Sequence, residues 1–393
     1  MLCLPVLLLM LLLALCPAAS SLPPGVIHLD EIWRVGGEQG DLLFGAVTEA
    51  ASDTEGNVYL LDTQLCHVQV ISPEGNHIRT ISREGDGPGE VRRPRDVLLL
   101  PDQTIGLLEL FPAKLVKLSL EGEPRGVVTI GGNRAAEAGG FTAASRCVYR
   151  GGTFLLAGQH TAQSESGQCR VQFLARISEA GEERVRYREA TMTLDFRKLC
   201  FVERDLQPAF NNANAVGPDG RVYAAQAWDR YAIDVFRPDG ERERVIEREF
   251  ENRPRTEDEL KRIHALFDAS DRNIPYEVTR EIESAPPVIT SLRVDDQGIL
   301  WVEHSRSSEA GPAGAMVTYD LFDAEGRYLR AVSIVCEGDP ESDGLEFLSD
   351  GRVLLIKGYG LAGMARTDLG SVALGEEEET PPLEVICCRM RTG

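Results

Sequence analysis

A short phrase of turn residues, glycine and an apolar strand recurs along this chain, and it constrains the fold more than any other feature. The clearest copy runs Asp53-Thr-Glu-Gly56-Asn-Val-Tyr-Leu-Leu-Asp62. Six copies are present, and the other five occupy residues 101–109, 150–156, 218–223, 296–302 and 349–355. Self-similarity of this kind indicates a repeat architecture, in which each unit buries its faces against its neighbours.

A second turn follows the first in five of the six copies. These second turns end at Gly75, Gly122, Gly181, Gly240 and Gly326. Asp-Gly and Glu-Gly between short β-rich runs are typical of hairpins. Two hairpins give four antiparallel strands per unit, so the chain is predicted to be all-β and to form a six-bladed β-propeller.

The two ends of the repeat array predict how the ring closes. Val26–Val35 reads as a strand before the first unit, and Pro382–Met390 reads as a final strand. The N-terminal strand is expected to complete the last blade, because an open ring would expose two sheet edges. One propeller domain is therefore predicted over residues 26–393, although 393 residues exceed the usual size of a single core.

The segment Gly85-Asp-Gly-Pro-Gly-Glu-Val-Arg-Arg-Pro94 resembles the inter-blade signature of NHL-type repeats. The order of strand, Asp53-x-x-Gly56-Asn57 turn and Val58–Asp62 strand has the same resemblance. With Gly36-Gly-Glu-Gln-Gly-Asp41, the whole mature chain resembles exported bacterial six-bladed propellers with NHL-like repeats. This resemblance implies a fold and an exported location, and it implies no particular reaction.

Residues 1–20 hold no charged side chain and are rich in leucine. They fit a signal peptide, with small residues from Ala18 to Ser21 placed for cleavage. The sequence before Cys16 resembles a lipobox with one unfavourable position, Leu15, so lipid attachment at Cys16 is an alternative to simple release. The protein is expected in the periplasm or outside the cell.

Seven cysteines follow the predicted signal peptide, and their spacing matches no zinc motif. Small buried apolar residues are the favoured interpretation for most of them. Cys147 and Cys169 are predicted to pair, since they fall on nearby strands of the third repeat and export permits disulfides.

The chain carries 62 acidic and 41 basic residues, a formal net charge of −21. Such a surface repels phosphate, so neither nucleic acid nor an anionic membrane is an expected partner. After the first 20 residues no segment is apolar enough to span a membrane, and a monomer is expected.

A short amphipathic helix is predicted at about residues 256–268, between the fourth and fifth repeats. Thr256 and Glu259 form a capping box, and Leu260, Ile263 and Phe267 fall on one stripe. Packing against the propeller is the favoured role, and a lid over one end of the channel is the alternative.

Motifs for known chemistry are absent from the sequence. The Gly85 loop is followed by prolines rather than a helix, which excludes a phosphate-binding loop. The Asp-Gly turns lack the alternating oxygen ligands of calcium loops. No cofactor is therefore predicted, with a divalent cation such as calcium as a weaker alternative. His304, beside Glu303, is the histidine most suited to act in the channel as a general base.

The innermost strands are expected to precede each first turn and to line the axial channel. The polar residues assigned to a ligand site there, with His304, are Glu49, Arg93, Arg95, Asn211, Asn212 and Asn214. The three asparagines would equally well cap backbone groups at a blade junction, and the two arginines would equally well pair with Glu90 or Asp96. Two functions stay open: a non-catalytic binding or scaffolding propeller for a protein, peptide or glycan, which is preferred, and a hydrolase or lyase with a metal-assisted site at the channel mouth.

Overall fold

The fold is known from a computed structural model that describes residues 24–38, 40–131, 139–165, 167–271, 274–275, 277–360 and 382–392. The predicted signal peptide and Cys16 lie outside the described residues.

Strands account for most of the described chain. The first strand, β1, spans Gly25–Gly36. Sheet 1 contains β2 Val47–Ser52, β3 Val58–Asp62, β4 His67–Ile71 and β5 His77–Ile81. Sheet 2 contains β6 Pro94–Leu99, β7 Thr104–Glu109, β8 Lys114–Ser119 and β9 Pro124–Thr129. Sheet 3 contains β10 Phe141–Arg150, β11 Thr153–Gln163, β12 Gly167–Ile177 and β13 Glu183–Asp195.

The second part of the chain adds three short or medium helices to the strands. In chain order these elements are β14 Leu199–Val202, α1 Glu203–Leu206, α2 Ala209–Asn212, β15 Asn214–Val216, β16 Val222–Ala225, β17 Ala232–Phe236, β18 Arg242–Glu247, α3 Glu257–Asp271 and β19 Val278–Glu281. Sheet 4 consists of β15 to β18. The last strands are β20 Ile289–Val294, β21 Leu300–His304, β22 Ala315–Phe322, β23 Tyr328–Val335, β24 Gly344–Phe347, β25 Arg352–Lys357 and β26 Glu384–Thr392.

Each of sheets 1 to 4 is a four-stranded antiparallel meander, and the remaining main strands form one eight-stranded sheet. Its order is β20-β21-β22-β23-β1-β26-β25-β24. β1 pairs antiparallel with β26 over most of its length and parallel with β23 over residues 25–28. The last two sheets, which were predicted to be separate, are thus joined. The N-terminal strand β1 joins them because it forms hydrogen bonds with β23 along one edge and with β26 along the other.

The recurring glycines occupy one type of hairpin turn. In the first copy the Gly56 amide donates to the Asp53 carbonyl at 3.1 Å, and the Asp53 amide donates to the Asn57 carbonyl at 3.0 Å. The glycine lies at positive φ, where residues with a Cβ are strained. The same arrangement recurs at Gly75, Gly122, Gly181, Gly220, Gly240, Gly298, Gly326 and Gly351. In sheet 2 the left-handed position falls instead on Gln103, and Gly106 of the sequence phrase lies inside β7.

The sheets are arranged as in a propeller. First strands of successive sheets contact one another in the order β2, β6, β10, β15 and β20. The first and last units of the ring are in contact. The hydroxyl of Ser52 in sheet 1 lies 3.0 Å from that of Ser349, in the turn between β24 and β25. Apolar core fills the space between sheet faces, with Leu60, Leu107 and Leu156 fully buried. First strands therefore surround an axis, and their side chains are the ones that a channel ligand would meet.

A small extra layer covers the outer side of sheet 3. β14 and β19 form a parallel pair, and Phe201 and Phe267 pack with Met192 and Leu194 of β13. The Thr256 amide donates to Glu259 at 2.7 Å and the Glu259 amide donates to the Thr256 hydroxyl at 3.2 Å, so the capping box is formed. Helix α3 packs on the propeller through Phe267, as the favoured interpretation expected.

The predicted disulfide between Cys147 and Cys169 is wrong. All seven described cysteines are free. Cys147 faces Leu156 of β11, whereas Cys169 faces Ala162, six residues further along the same strand. That offset is about 20 Å, far beyond the ~7 Å that a disulfide spans.

Candidate functional site

Five first strands each contribute one charged side chain to the centre of the ring. They are Glu49 on β2, Asp96 on β6, Arg146 on β10, Arg293 on β20 and Glu346 on β24. Three of them occupy equivalent positions in the strand pairing. Glu49 lies opposite Leu61, Asp96 opposite Leu108 and Arg146 opposite Ala157. Arg293 and Glu346 lie two residues nearer the first turn of their units. We call these five residues the axial cluster.

Glu346 is the group whose ionisation the axial cluster perturbs most. Burial, followed by the negative charges of Glu49 and Asp96, raises the pKa of Glu346 to about 8, against the opposing effect of Arg146 and Arg293. These four groups come from four other first strands, so the electrostatics place all five near one another. A carboxyl with this pKa is mostly protonated at pH 7, and in that form it can donate a hydrogen bond.

Arg293 is held by aromatic rings rather than by a carboxylate. Its guanidinium carbon lies 4.2 Å from the centre of the Phe347 ring and 5.5 Å from that of Trp301. Burial lowers the pKa of Arg293. No side chain or carbonyl of the described ranges accepts a hydrogen bond from its Nη1, which is buried.

Two other members of the axial cluster, Arg146 and Asp96, bond to backbone groups of neighbouring elements. Arg146 Nη1 donates to the Asn212 carbonyl at 3.2 Å. Asp96 Oδ2 accepts the Cys147 amide at 2.7 Å. Beyond the turn end of the cluster, Arg150 donates to the Val294 carbonyl and thereby links sheet 3 to the eight-stranded sheet. These bonds fix the spacing of the first strands around the axis.

The residues predicted from sequence fall in several environments. Glu49 belongs to the axial cluster. Arg95 is the extra residue of a bulge between Pro94 and Asp96, and Arg93 lies exposed at positive φ before β6.

The asparagines lie at the junction of sheets 3 and 4. The side-chain Nδ2 of Asn214 donates to the backbone carbonyls of Phe210 and Asn211 at 2.8 and 3.1 Å, so this side chain caps backbone groups. The Asn211 side chain bonds to Gln172, and Asn212 is exposed.

His304 lies in a buried contact between sheet 4 and the eight-stranded sheet. Its Nε2 is 3.7 Å from Asp320 Oδ2, an oxygen that also accepts the Tyr231 hydroxyl at 2.9 Å. Burial lowers the pKa of His304, so the ring stays neutral at pH 7. Its Nδ1 accepts the Arg306 amide at 3.2 Å. Both ring nitrogens thus face protein partners.

Sequence reasoning missed Asp96, Arg146, Arg293 and Glu346 as site residues. A partial signal was present, because each is a charged residue inside a strand that leads into the recurring turn, but their distances from that turn differ. Charged residues are rarely buried without a partner or a function.

The Gly85 loop contains its own anion. Glu90 accepts the Gly87 amide at 2.8 Å and Arg83 at 2.6 Å. The carboxylate thus fills the space that a phosphate would take.

Within the described ranges no group of three or more histidine, cysteine or acidic residues is placed to hold a metal ion. Likewise, no helix of the described chain is long and apolar enough to cross a membrane.

A separate cleft of about 1130 Å³ lies at the rim, between β1 and the turn of sheet 1 at Gly75. Arg34, Asp41, Asp343 and Lys357 line it. Its two cationic side chains, Arg34 and Lys357, are paired, since Lys357 bonds to Asp343 at 2.9 Å and Arg34 to Glu384 at 3.4 Å. The axial cluster, with its unpaired cation, is the better candidate for a ligand site.

Comparison with one solved structure supports the fold. A member of the DUF4221 family from Bacteroides vulgatus is 8% identical, with a TM-score of 0.51 over 93% of this chain and 99% of that one. Virginiamycin B lyase from Staphylococcus aureus is 9% identical, with a TM-score of 0.41 over 84% and 81%. Regucalcin from Agrobacterium tumefaciens, a calcium-binding protein, is 10% identical, with a TM-score of 0.42 over 93% and 97%. No family model matches the chain, and no curated protein does.

Proposed function

We propose that this chain is a six-bladed propeller. The eight-stranded sheet divides naturally at the pairing of β23 with β1, which is parallel and only four residues long. Each half then has four antiparallel strands and begins with a first strand, β20 or β24. A crystal structure tests this count, and five or seven blades around the axis would overturn it.

The propeller is proposed to be a non-catalytic binding protein whose ligand enters the axial channel. One observation carries this proposal: charged groups from four first strands act on a single carboxyl, that of Glu346 on a fifth. Burying a charged group is energetically unfavourable unless a partner compensates its charge. The ligand would be a protein, peptide or glycan that presents a polar group to the channel.

A thermal-shift screen of peptides and sugars tests this proposal. Binding is expected for the wild type and is expected to weaken for Arg146→Ala. The matched control is Arg186→Ala on β13, which pairs with Glu183 far from the first strands. Equal loss of binding in both variants would remove the site from the channel.

A hydrolase or lyase is the second candidate, and one observation favours it. A carboxyl whose pKa lies near neutrality, beside the second carboxyl of Glu49, has the properties of a general acid. Turnover of any screened ligand, detected by mass spectrometry and abolished in Glu346→Gln while binding persists, would replace the binding proposal. A stoichiometric divalent ion in the purified protein would favour a metal-assisted reaction.

The protein is proposed to work outside the cytoplasm as a monomer. The uncharged, leucine-rich residues 1–20 support export. Mass spectrometry of the mature N-terminus tests this proposal: cleavage near Ser20 supports release, an acylated Cys16 shows a lipoprotein, and an intact Met1 overturns export. Size-exclusion chromatography with light scattering tests the monomer.

A further inference from the structure

Arg293 has no carboxylate partner among the described residues, in a protein where acidic residues outnumber basic ones by 62 to 41. Two other shielded arginines have one, since Arg188 pairs with Asp234 and Arg255 with Glu203. Arg293 forms neither an ion pair nor a hydrogen bond with any described residue, and its Nη1 is buried. The residue as a whole is half-buried, and a partly desolvated guanidinium needs an acceptor, so a partner from outside the chain is expected at the part of Arg293 that solvent reaches.

The guanidinium of Arg293 is fixed in position before any ligand arrives. The Phe347 ring lies 4.2 Å from its central carbon. The Trp301 ring, at 5.5 Å, is itself held by a 3.0 Å hydrogen bond from its Nε1 to Asp295 Oδ2. The other oxygen of Asp295 accepts hydrogen bonds from the Gln297 and Ile299 backbone amides, so this carboxylate is already hydrogen-bonded within the turn. Stacked arginine presents a planar fork that matches a carboxylate.

Arg146 supplies a second positive charge without a carboxylate partner. Its only hydrogen bond in the described structure goes to the Asn212 carbonyl. Glu346 does not neutralise either arginine at pH 7, since it is mostly protonated, and it offers a hydrogen-bond donor instead. Glu49, Asp96 and Tyr319 also interact with Glu346. A ligand with a single negative charge fits this balance better than a multiply charged phosphate, which Glu49 and Asp96 would repel.

We propose that the axial cluster binds a small ligand through a carboxylate group, held by Arg293 and assisted by Arg146 and Glu346. This inference rests on the proposed function, that the channel binds a ligand, and it names the chemical group that is recognised. A sugar acid and a peptide-like carboxylate share this chemistry, and the experiment distinguishes them.

Four probes test the inference by isothermal titration calorimetry with the full mature chain at pH 6.5. They are galacturonate with its neutral twin galactose, and N-acetylalanine with its neutral twin N-acetylalanine amide. We expect one of the two carboxylates to bind at least tenfold more tightly than its twin. Binding of galacturonate alone identifies a sugar acid, and binding of N-acetylalanine alone identifies a peptide-like ligand.

Variants locate the binding. Arg293→Met is expected to weaken carboxylate binding at least tenfold, and Arg293→Lys to weaken it less. Arg186→Met is the matched control, because Arg186 also lies over an aromatic ring, that of Phe173 at 4.7 Å, but pairs with Glu183. Thermal melting of each variant separates lost binding from lost folding. If Arg293→Met fails to fold, the weaker binding of Arg293→Lys decides the test.

A pH series adds a second readout. Raising the pH from 6.5 to 9 ionises Glu346, so carboxylate affinity is expected to fall, and Glu346→Gln is expected to remove that fall. Equal binding of a carboxylate and its neutral twin, with no effect of Arg293→Met, would overturn the carboxylate inference and leave channel binding intact. No binding by any of the four probes would also overturn it. The broader ligand screen separately decides the proposed function.

Discussion

Two hydrogen bonds of 2.7 Å join the guanidinium of Arg255 to both carboxylate oxygens of Glu203, with side chains only 6% and 8% exposed. The pair connects the segment before α3 to α1 at the start of the extra layer. Glu203 also accepts the Glu283 amide at 2.9 Å. One carboxylate therefore holds together three segments that are distant in sequence.

Replacing Glu203 with glutamine is expected to destabilise the protein by about 3–5 kcal/mol, because it leaves the Arg255 charge buried without its partner. Urea unfolding measures the change. Asp258→Asn is the control, since the Asp258 pair with Lys261 is exposed and is expected to contribute less than about 1 kcal/mol. Equal effects of the two substitutions would show that the buried pair has no special role.

The closing strand β1 contacts sheet 1 through Trp33. A Cβ added to Gly75 would lie 2.6 Å from Trp33 Cβ, whereas one added to Gly351 would meet nothing within 4 Å. The two glycines share one turn type and nearly the same φ, 89° and 85°.

Gly351→Ala is therefore expected to cost about 1–2 kcal/mol for the left-handed backbone alone. Gly75→Ala should cost a further 1–3 kcal/mol, approximately, for overpacking against Trp33. Thermal or urea unfolding of both variants measures the difference. Indistinguishable variants would mean that β1 does not pack tightly on sheet 1 in solution.

The capping box at the start of α3 gives a prediction with a pH dependence. Thr256→Ala is expected to cost about 1 kcal/mol, and Thr256→Ser much less. The hydrogen bond from Arg253, together with those from Thr256, lowers the pKa of Glu259 to about 2. Because this folded-state pKa lies below the unfolded value of 4.5, the stabilisation by Glu259 is full above pH 4.5 and is lost as the pH falls towards 2.

Glu259→Gln is expected to remove this dependence, so that wild type and variant converge in stability near pH 2. Unfolding at pH 7, 4 and 2.5 provides the measurement. A constant difference between the two proteins at all three values would contradict the assigned pKa.

Local signals in the sequence predicted the strands and turns well. Each hairpin turn depends on a few consecutive residues, as at Asp53 to Asn57, so its geometry is readable without knowledge of the rest of the chain. The turn at Gln103 shows the weakness of this reasoning. The sequence pattern placed the turn glycine at Gly106, but Gly106 lies inside β7 and Gln103 occupies the left-handed position. The capping box of Thr256 and Glu259 is equally local, and it was predicted correctly.

The axial cluster could not be predicted in the same way. Arg293 and Glu346 are separated by three strands and the four connections between them, and they meet only because β20 and β24 are both first strands. The height of each charged side chain along the channel axis depends on the strand register of its own unit. Bulges such as the one at Arg95 shift that register. The Cys147–Cys169 prediction failed for the same reason, because strand proximity was inferred without register.

Glu346 gives the most direct physical test of the axial cluster. Its pKa is raised from the ordinary 4.5 to about 8 in the folded protein, mainly by burial and by Glu49. An acid with a raised folded-state pKa favours folding most below the unfolded pKa. Its effect on stability is therefore progressively lost as the pH rises from 4.5 to 8, and it is constant above 8.

Glutamine resembles the protonated carboxyl and does not titrate. Glu346→Gln is thus expected to match the wild type in stability below pH 4.5 and to exceed it above pH 8 by on the order of 2–5 kcal/mol. Urea unfolding at pH 4, 6.5 and 9 measures the gap. Asp30→Asn, on the exposed face of β1, is the control and should show no growing advantage at high pH. A Glu346→Gln protein less stable than the wild type at pH 9 would show that the pKa of Glu346 is lowered in the fold by pairing with Arg146 or Arg293, which would also deprive the proposed ligand of its binding group.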